Sequence, residues 1–292
     1  MNSFLKYTSL MVLIIHLLLP QQGKSQCVFV TLSNQTEMDA FNCTDVENLT
    51  ISNSSLTDPI VDFQNLNLLE TAQFITVELF TNPTQTLTFE NLISVSQFTH
   101  SDTTTQTLNL PKLENITSRF NLIGALDSLL LPKLKSVNLF LLTNDVDDPL
   151  YIEELTDLEF MSNLFLDAGL INDLSFLPDG FSPNTIDIQG TPADTLDLIH
   201  FMGNSSIEFM TIRNCAVKSF APLEALTYCR GMSLTNIPGL VNVDFLSNLT
   251  LSAGTISLRS NTELTDIEGL RNLTYAPSIT IIGNSNLASC CR

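Results

Sequence analysis

The chain of 292 residues carries 31 acidic and 12 basic side chains, for a formal net charge of -19. Nucleic acids and anionic membranes attract clustered positive charge, so this balance disfavours both as partners. Hydrophobic residues make up 44% of the chain, enough to bury a large core. Three histidines and no tryptophan leave little material for histidine-based catalysis, for a histidine-rich metal site or for a tryptophan-lined sugar cleft. The composition therefore disfavours an enzyme.

Residues 1–25 have the layout of a secretory signal peptide. Lys6 precedes an apolar run from Leu10 to Leu19, and Gly23 and Ser25 place small residues at a cleavage site. The run is too short to cross a bilayer, and no other segment is long and apolar enough for a membrane span. We therefore expect cleavage after Ser25 and a secreted, extracellular product that is soluble or associated with the cell surface.

Sequons and cysteines fit the same compartment. The Asn-x-Ser/Thr motif predicts N-linked glycosylation, although a chain rich in Asn, Ser and Thr contains some copies by chance. All six cysteines follow the signal peptide, which suits an oxidising environment. The eight sequons are at Asn34, Asn42, Asn48, Asn53, Asn115, Asn204, Asn248 and Asn272.

Two cysteine pairs are candidates for disulfides. Cys27 and Cys43 bracket the start of the mature chain and are expected to form one. Cys215 and Cys229 lie within one repeat of the pattern described next, and they are either bridged or buried as thiols.

A short apolar-x-apolar unit recurs about every 23 residues between Leu49 and Ile281. Alternate residues of such a unit point to the same side, so each unit predicts a short strand. An Asn or Gly usually follows, and both tolerate the left-handed backbone of a sharp corner. The units contain Leu49/Ile51, Ile75/Val77, Phe98, Phe120/Leu122, Leu139/Leu141, Leu164/Leu166, Ile186/Ile188, Met210/Ile212, Met232/Leu234, Ile256/Leu258 and Ile279/Ile281.

The repeat predicts an all-β fold, a right-handed parallel β-helix or leucine-rich solenoid of about eleven coils. Residues 26–47 form an N-terminal disulfide cap in this interpretation, and residues 48–292 form the solenoid. The pattern is interrupted at 143–162, either by a loop that bulges from one coil or by a boundary between two lobes.

The repeat segments resemble the receptor L-domain. The segments are LNLPKLENITSRFNLIGALDSLLLPKLKSVNLFLL (108–142) and LTNIPGLVNVDFLSNLTLSAGTISLRSNTELTDIEGLRNLTYAPSITIIGNSNLASC (234–290). L-domains are leucine-rich β-helices in the ligand-binding lobes of insulin- and EGF-receptor ectodomains, and they also occur in fungal cell-wall glycoproteins. The resemblance implies a fold and a binding or structural role. The chain lacks the Cys-rich region of the receptors and the Ser/Thr-rich stalk of the wall proteins, so no ligand is implied.

The middle residue of each unit is expected to face solvent, and most of these residues are small and polar. Phe140 and Phe165 interrupt this row in adjacent coils, and Asp187 follows them. Neighbouring exposed aromatics are typical of recognition sites, so these three residues form the predicted binding patch. The alternative is that segment 143–162 folds back and covers the two rings.

No catalytic, cofactor or metal site is expected. His100 and His200 lie about four coils apart, and both are expected at solvent-facing turns. The acidic stretch from Asp145 to Glu159 lacks calcium-loop spacing and is interpreted as a solvated face rather than as a Ca²⁺ site or a dock for a basic partner.

The sequence therefore predicts a secreted, N-glycosylated, non-catalytic module that binds an extracellular protein or glycan. The alternative is a structural cell-surface or cell-wall glycoprotein without a discrete ligand, and a polysaccharide-active enzyme is the third possibility. No capping repeat follows the last unit, and Cys290 and Cys291 are too close for an unstrained mutual bond, with Cα atoms ~3.8 Å apart. A truncated chain, or a disulfide-linked or end-capped oligomer, is expected on this ground.

Overall fold

The computed structural model describes residues 25–52, 55–78, 84–102, 104–124, 126–143, 150–167, 174–181, 183–190 and 195–287. Its fold is the predicted one, an all-β, right-handed parallel β-solenoid. The solenoid has about ten turns, close to the eleven coils expected from the repeat. The signal peptide, apart from Ser25, lies outside the described residues, as do Asn53, Asp145, Cys290 and Cys291.

The strands are short because each crosses one face of a coil before the chain turns. In the described part of the chain they are β1 Gln26–Leu32, β2 Asp45–Ile51, β3 Thr71–Val77, β4 Thr84–Thr88, β5 Ser94–His100, β6 Thr105–Asn109, β7 Asn115–Ile123, β8 Ser128–Leu130, β9 Ser136–Thr143, β10 Tyr151–Ile152, β11 Phe160–Asp167, β12 Thr185–Gln189, β13 Thr195–Leu196, β14 Ser206–Arg213, β15 Ala216–Val217, β16 Tyr228–Thr235, β17 Leu251–Ser252, β18 Thr255–Arg259 and β19 Ser278–Ile282.

One 13-stranded parallel sheet runs along the solenoid, in the order β1-β2-β3-β5-β7-β9-β11-β12-β14-β16-β18-β19, with β17 paired to β16. A second sheet, β10-β8-β6-β4, forms another face, and β13 pairs with β15. The main sheet continues across the interrupted segment 143–162, because β9 pairs directly with β11.

The inward side chains of the main sheet stack in register from coil to coil. In β2 they are Val46, Leu49 and Ile51, all at most 1% exposed, and the same spacing of three and then two recurs in later strands. The second apolar pair of the repeat is buried as well, for example Leu92 and Val95. Each coil buries its apolar side chains against the next one, which is why a chain with little helical periodicity still forms a large core.

The N-terminal residues form the first strand of the main sheet and contain the disulfide expected there. β1 pairs with β2 over most of its length, and the Cys27–Cys43 disulfide, with a Cα–Cα distance of 6.0 Å, ties β1 to the segment before β2. An α-helix, Gln35–Ala40, follows β1 and begins at Asn34, whose Oδ1 accepts a hydrogen bond from the Glu37 backbone N–H. The described 3₁₀ helices are Gln64–Leu68, Ile199–Phe201, Ala221–Leu223, Asp244–Leu246 and Glu268–Leu270.

The corners after the later strands use the residues that the repeat suggested, with one exception. Asn214, Asn236 and Gly283 have positive φ angles of 56°, 51° and 75°. In the coil between the last two, Ser260 takes the left-handed conformation at φ 52° in place of Asn261. The buried Asn261 side chain instead joins two coils, since its Oδ1 accepts from the Ile237 N–H and its Nδ2 donates to the Leu234 carbonyl.

Candidate binding surface

The outer face of the main sheet is nearly neutral, although the protein as a whole is acidic. Its thirteen strands contain five carboxylates and four arginines, so most of the net charge of -19 lies elsewhere. The middle residues of successive strands form a row of small polar side chains, such as Thr50, Thr76 and Thr99. A face of this kind is open to a partner without strong electrostatic repulsion.

Phe140 does not lie on this face, so the predicted orientation of this residue is wrong. Its ring is 0% exposed and stacks on Phe120 at a centroid distance of 5.2 Å. Phe140 pairs in register with Phe120 and Leu164, both of which point inward. Four successive apolar residues from Leu139 to Leu142 fit either phase of the alternation, and a shift of one residue exchanges the two faces of a strand.

The outward residue of this coil is Leu141, and it lies beside Phe165 of the next coil. Phe165 pairs with Leu141 on one side and with Asp187 on the other, and Leu141 and Phe165 are both partly exposed. Asp187 Oδ1 accepts a hydrogen bond from Arg213 Nη2 at 2.8 Å. We call Leu141, Phe165, Asp187 and Arg213 the central patch.

The central patch surrounds a shallow depression that is also lined by Thr143, Asp167 and Gln189. The apolar side chains Leu141 and Phe165 therefore lie next to carboxylate, amide and guanidinium groups. Such a combination suits a ligand that presents an apolar face and several hydrogen-bonding groups. Two of the three residues of the predicted patch, Phe165 and Asp187, belong to it.

Exposed aromatics also occur at the N-terminal end of the same face, but a sequon lies between them. Phe29 is 79% exposed and Phe74 is 41% exposed, and both pair in register with Asn48. A glycan on Asn48 would stand between the two rings, so the central patch is the better candidate for recognition.

His100 and His200 differ from the expected exposed turn residues. His100 is 0% exposed at the inward end of β5, between Val77 and Leu122 in register. Neither of its ring nitrogens has a hydrogen-bond partner, and burial lowers the pKa of His100 to about 4 despite the nearby Asp102. His200 is 16% exposed, with Nδ1 3.1 Å from Asp179 Oδ1.

Cys229 is a buried thiol, so the possible bridge to Cys215 is absent. Burial raises the pKa of Cys229, and its Sγ lies 3.6 Å from Ser252 Oγ. A protonated, enclosed thiol is a poor nucleophile, which leaves Cys229 with a packing role.

The described part of the acidic stretch offers its carboxylates to lysine and to solvent. Asp157 Oδ2 lies 3.1 Å from Lys133 Nζ at the surface. Among the described residues no group of three or more His, Cys, Asp or Glu side chains is arranged to hold a metal ion. No helix in this part of the chain is both long and apolar enough to span a membrane.

Two of the sequons described by the structure occupy equivalent places in adjacent coils. Asn248 and Asn272 are exposed, and each Nδ2 donates to a carbonyl of the preceding coil, that of Glu224 at 2.8 Å and that of Ser247 at 2.7 Å. Coils of one solenoid are only ~4.8 Å apart along the strand-pairing direction, so glycans on both asparagines would crowd each other.

We expect several kilodaltons of N-linked glycan on the protein secreted by eukaryotic cells. Treatment with an N-glycosidase should lower its mass by that amount on a gel. Peptide mass spectrometry should find either Asn248 or Asn272 incompletely occupied, because the first glycan hinders addition of the second. An unchanged gel position would contradict the glycosylation, and full occupancy of both sites would contradict the crowding.

Comparison with known proteins gives no significant match: no family model, no curated protein and no solved structure matches the chain. The parallel solenoid is compatible with the L-domain resemblance at the level of the fold.

Proposed function

We propose that the protein is a secreted, N-glycosylated binding module, of receptor L-domain type, without catalytic activity. In this proposal it recognises an extracellular protein or glycan through the outer face of the main sheet, with the central patch as the anchor. The observation that carries the proposal is the run Leu141–Phe165–Asp187 in a row of middle residues that is otherwise small and polar.

The geometry supports recognition because the patch is held rigidly before any partner arrives. Phe165 and Asp187 are in the middle of strands that pair on both sides, and Arg213 fixes the Asp187 carboxylate at 2.8 Å. A preorganised apolar anchor beside a charged pair loses little conformational entropy on binding. Partly exposed aromatic and arginine side chains are also the residue types that dominate binding energy at interfaces.

The disulfide supports the extracellular location in this proposal. Cys27–Cys43 closes the N-terminal end of the sheet, and bonds of this kind persist in oxidising compartments. The sequons at Asn34, Asn42, Asn115 and Asn204 agree with export and lie outside the central patch.

The central patch can be tested with the double variant L141S/F165S. Immobilised protein is incubated with extracellular material from the source organism, and the retained proteins and glycans are identified by mass spectrometry. We expect the parent to retain a defined partner and the variant to bind it at least about tenfold more weakly, because about 1.4 kcal/mol of anchor energy is lost.

The matched control is F74S, which removes an exposed aromatic from the same sheet. It should retain the partner as the parent does. If the partner binds the double variant as tightly as the parent, the central patch is not the binding site and the proposal fails. Thermal unfolding of all three proteins establishes that the variants are folded.

A further inference from the structure

A group of arginines lies on the C-terminal half of the outer face. Arg213 ends β14, Arg230 is in β16 and Arg259 ends β18, so three main-sheet strands in a row each present one. We call these three residues the arginine strip. The described lysines, by contrast, all lie outside the strands, at Lys112, Lys133, Lys135 and Lys218.

The arginine strip reverses the sign of the charge locally. The strands β14, β16 and β18 contain three arginines and a single carboxylate, Glu208, and Asp187 of β12 pairs with Arg213. One positive charge is therefore in excess here, in a chain of net charge -19. No sequon asparagine falls on these strands or on β12 and β19, so no predicted glycan is attached to the strands of this half of the face. A positive local field in a strongly acidic protein concentrates binding of an anion at one place.

Neighbouring groups hold each arginine against the sheet and leave it accessible. The Arg213 side chain is 41% exposed beside Asp187, and that of Arg230 is 59% exposed with Nη1 3.7 Å from Glu208. Arg259 Nε donates to Ser257 Oγ at 3.0 Å, and no carboxylate among the described residues forms an ion pair with this arginine. Guanidinium groups of this kind retain free N–H donors for an incoming anion.

A glycine supports the position of Arg230. The Arg230 guanidinium carbon is 5.5 Å from the centroid of the Phe209 ring, within the range of a cation–π interaction. The ring lies over Gly231, where a Cβ atom would come within 3.1 Å of Phe209 Cδ1. Glycine in the interior of this strand therefore lets the ring lie flat beneath the arginine.

The arrangement matches an extended anion better than a compact one. Arg213 and Arg259 occupy the same position of strands two steps apart, which places their backbones about 10 Å apart along the solenoid. The partly exposed hydroxyl side chains Thr211 and Ser233 form the row between these arginines and Arg230. Ser257 continues the row but is only 8% exposed and accepts a hydrogen bond from Arg259. A linear polymer can follow this row and meet a guanidinium group on either side.

We propose that the arginine strip binds a linear polysaccharide that carries sulfate or carboxylate groups. This inference rests on the proposed function, because it takes the outer face to be a binding surface. The polysaccharide binds through the arginine strip and does not require the apolar side chains of the central patch. A peptide strand is the less suitable occupant, since β14 and β16 are paired on both sides and offer no free edge for strand addition. Serine and threonine hydroxyls bind sugar hydroxyls directly.

The test uses the full secreted protein on columns of immobilised dextran sulfate and of neutral dextran at ~0.15 M salt, where the Debye length of about 8 Å screens the remote carboxylates. A polyanion repels a chain of net charge -19 unless a local cationic site holds it. We expect the parent to be retained on dextran sulfate and not on neutral dextran. The variant R213Q/R230Q/R259Q should bind dextran sulfate at least about tenfold more weakly, because it loses two or three charge-assisted contacts.

The control R119Q/R271Q removes two other arginines, one of them on the same sheet, and should be retained like the parent. The single variant R259Q should elute at lower salt, and it leaves no carboxylate of the described residues unpaired. It therefore keeps the test valid if the triple variant does not fold. Passage of the parent through the column, or equal weakening in the control, would overturn the inference. Displacement by polyglutamate as readily as by soluble dextran sulfate would overturn it in favour of an acidic peptide.

The L141S/F165S variant separates the two proposals. It should stay on the dextran sulfate column, because the three arginines are intact. Two results together would refute the polysaccharide inference and leave the proposed function standing. The parent would pass through the dextran sulfate column, and L141S/F165S would fail to bind the partner that the parent captures.

Discussion

Replacing Phe140 with alanine should lower the free energy of unfolding by about 3–5 kcal/mol, the usual cost of deleting a buried phenylalanine ring. Phe140 lies in the middle of an aromatic column in the core, formed by Phe89, Phe98, Phe120, Phe140 and Phe176. Its loss leaves a cavity between two coils, and rings that are locked in register cannot collapse to fill it. Urea denaturation monitored by circular dichroism measures the effect.

The matched control for F140A is L141A, one residue further along the same strand. Leu141 is partly exposed on the outer face, so its truncation should cost about 1 kcal/mol or less. Equal destabilisation by F140A and L141A would contradict the register, because only one of the two side chains is buried in it. A larger effect of L141A would indicate that β9 presents the opposite phase.

Acidification should destabilise the protein through His100. The pKa of the buried imidazole is about 4, whereas that of an unfolded histidine is about 6.5, so the unfolded chain binds more protons between these values. The stability that the neutral ring contributes is complete above pH 6.5 and is lost as the pH falls towards 4. Between pH 7 and pH 5 the loss amounts to about 2 kcal/mol, since one pKa unit corresponds to 1.36 kcal/mol.

The variant H100L tests this expectation, because leucine fits a position flanked in register by Val77 and Leu122. Its free energy of unfolding should fall by about 2 kcal/mol less than that of the parent between pH 7 and pH 5. The control V77A should be less stable at every pH and should keep the slope of the parent. Identical slopes for H100L and the parent would show that His100 is not the proton-linked group. Asp102 is the carboxylate that acts on His100, and its Oδ2 accepts a hydrogen bond from the Thr105 N–H at 2.7 Å.

The inward direction of the Phe140 side chain could have been predicted from the spacing of inward residues within a strand. The alternation of apolar residues alone does not reveal it. An inward residue at the start of a main-sheet strand is followed three positions later by the next one, as in Val46–Leu49 and Val95–Phe98. Val137 followed by Phe140 obeys this rule, whereas Val137 followed by Leu139 does not. The apolar alternation alone is degenerate over Leu139–Leu142, because all four side chains are equally suited to burial.

The burial of His100 could not have been read from its residue type. Histidine is found both at surfaces and in cores, and the next residues, Ser101 and Asp102, suggest a polar turn. The position of His100 two residues after the inward Phe98 places it in the aliphatic row of the core. The regular strand geometry prevails over the polarity of a single side chain, because turning it outward would break the pairing of β5 with both neighbours.

The sequence by itself determined the parallel solenoid, the direction of most side chains and the Cys27–Cys43 disulfide. These features depend on local periodicity and on the proximity of two cysteines in one segment, and both are visible along the chain. Only the tertiary structure decided the phase of β9, the burial of His100, the thiol state of Cys229 and the alignment of Arg213, Arg230 and Arg259 on one face. These features depend on which residues of successive coils lie side by side, and that register is set by the packing of whole coils rather than by any one repeat.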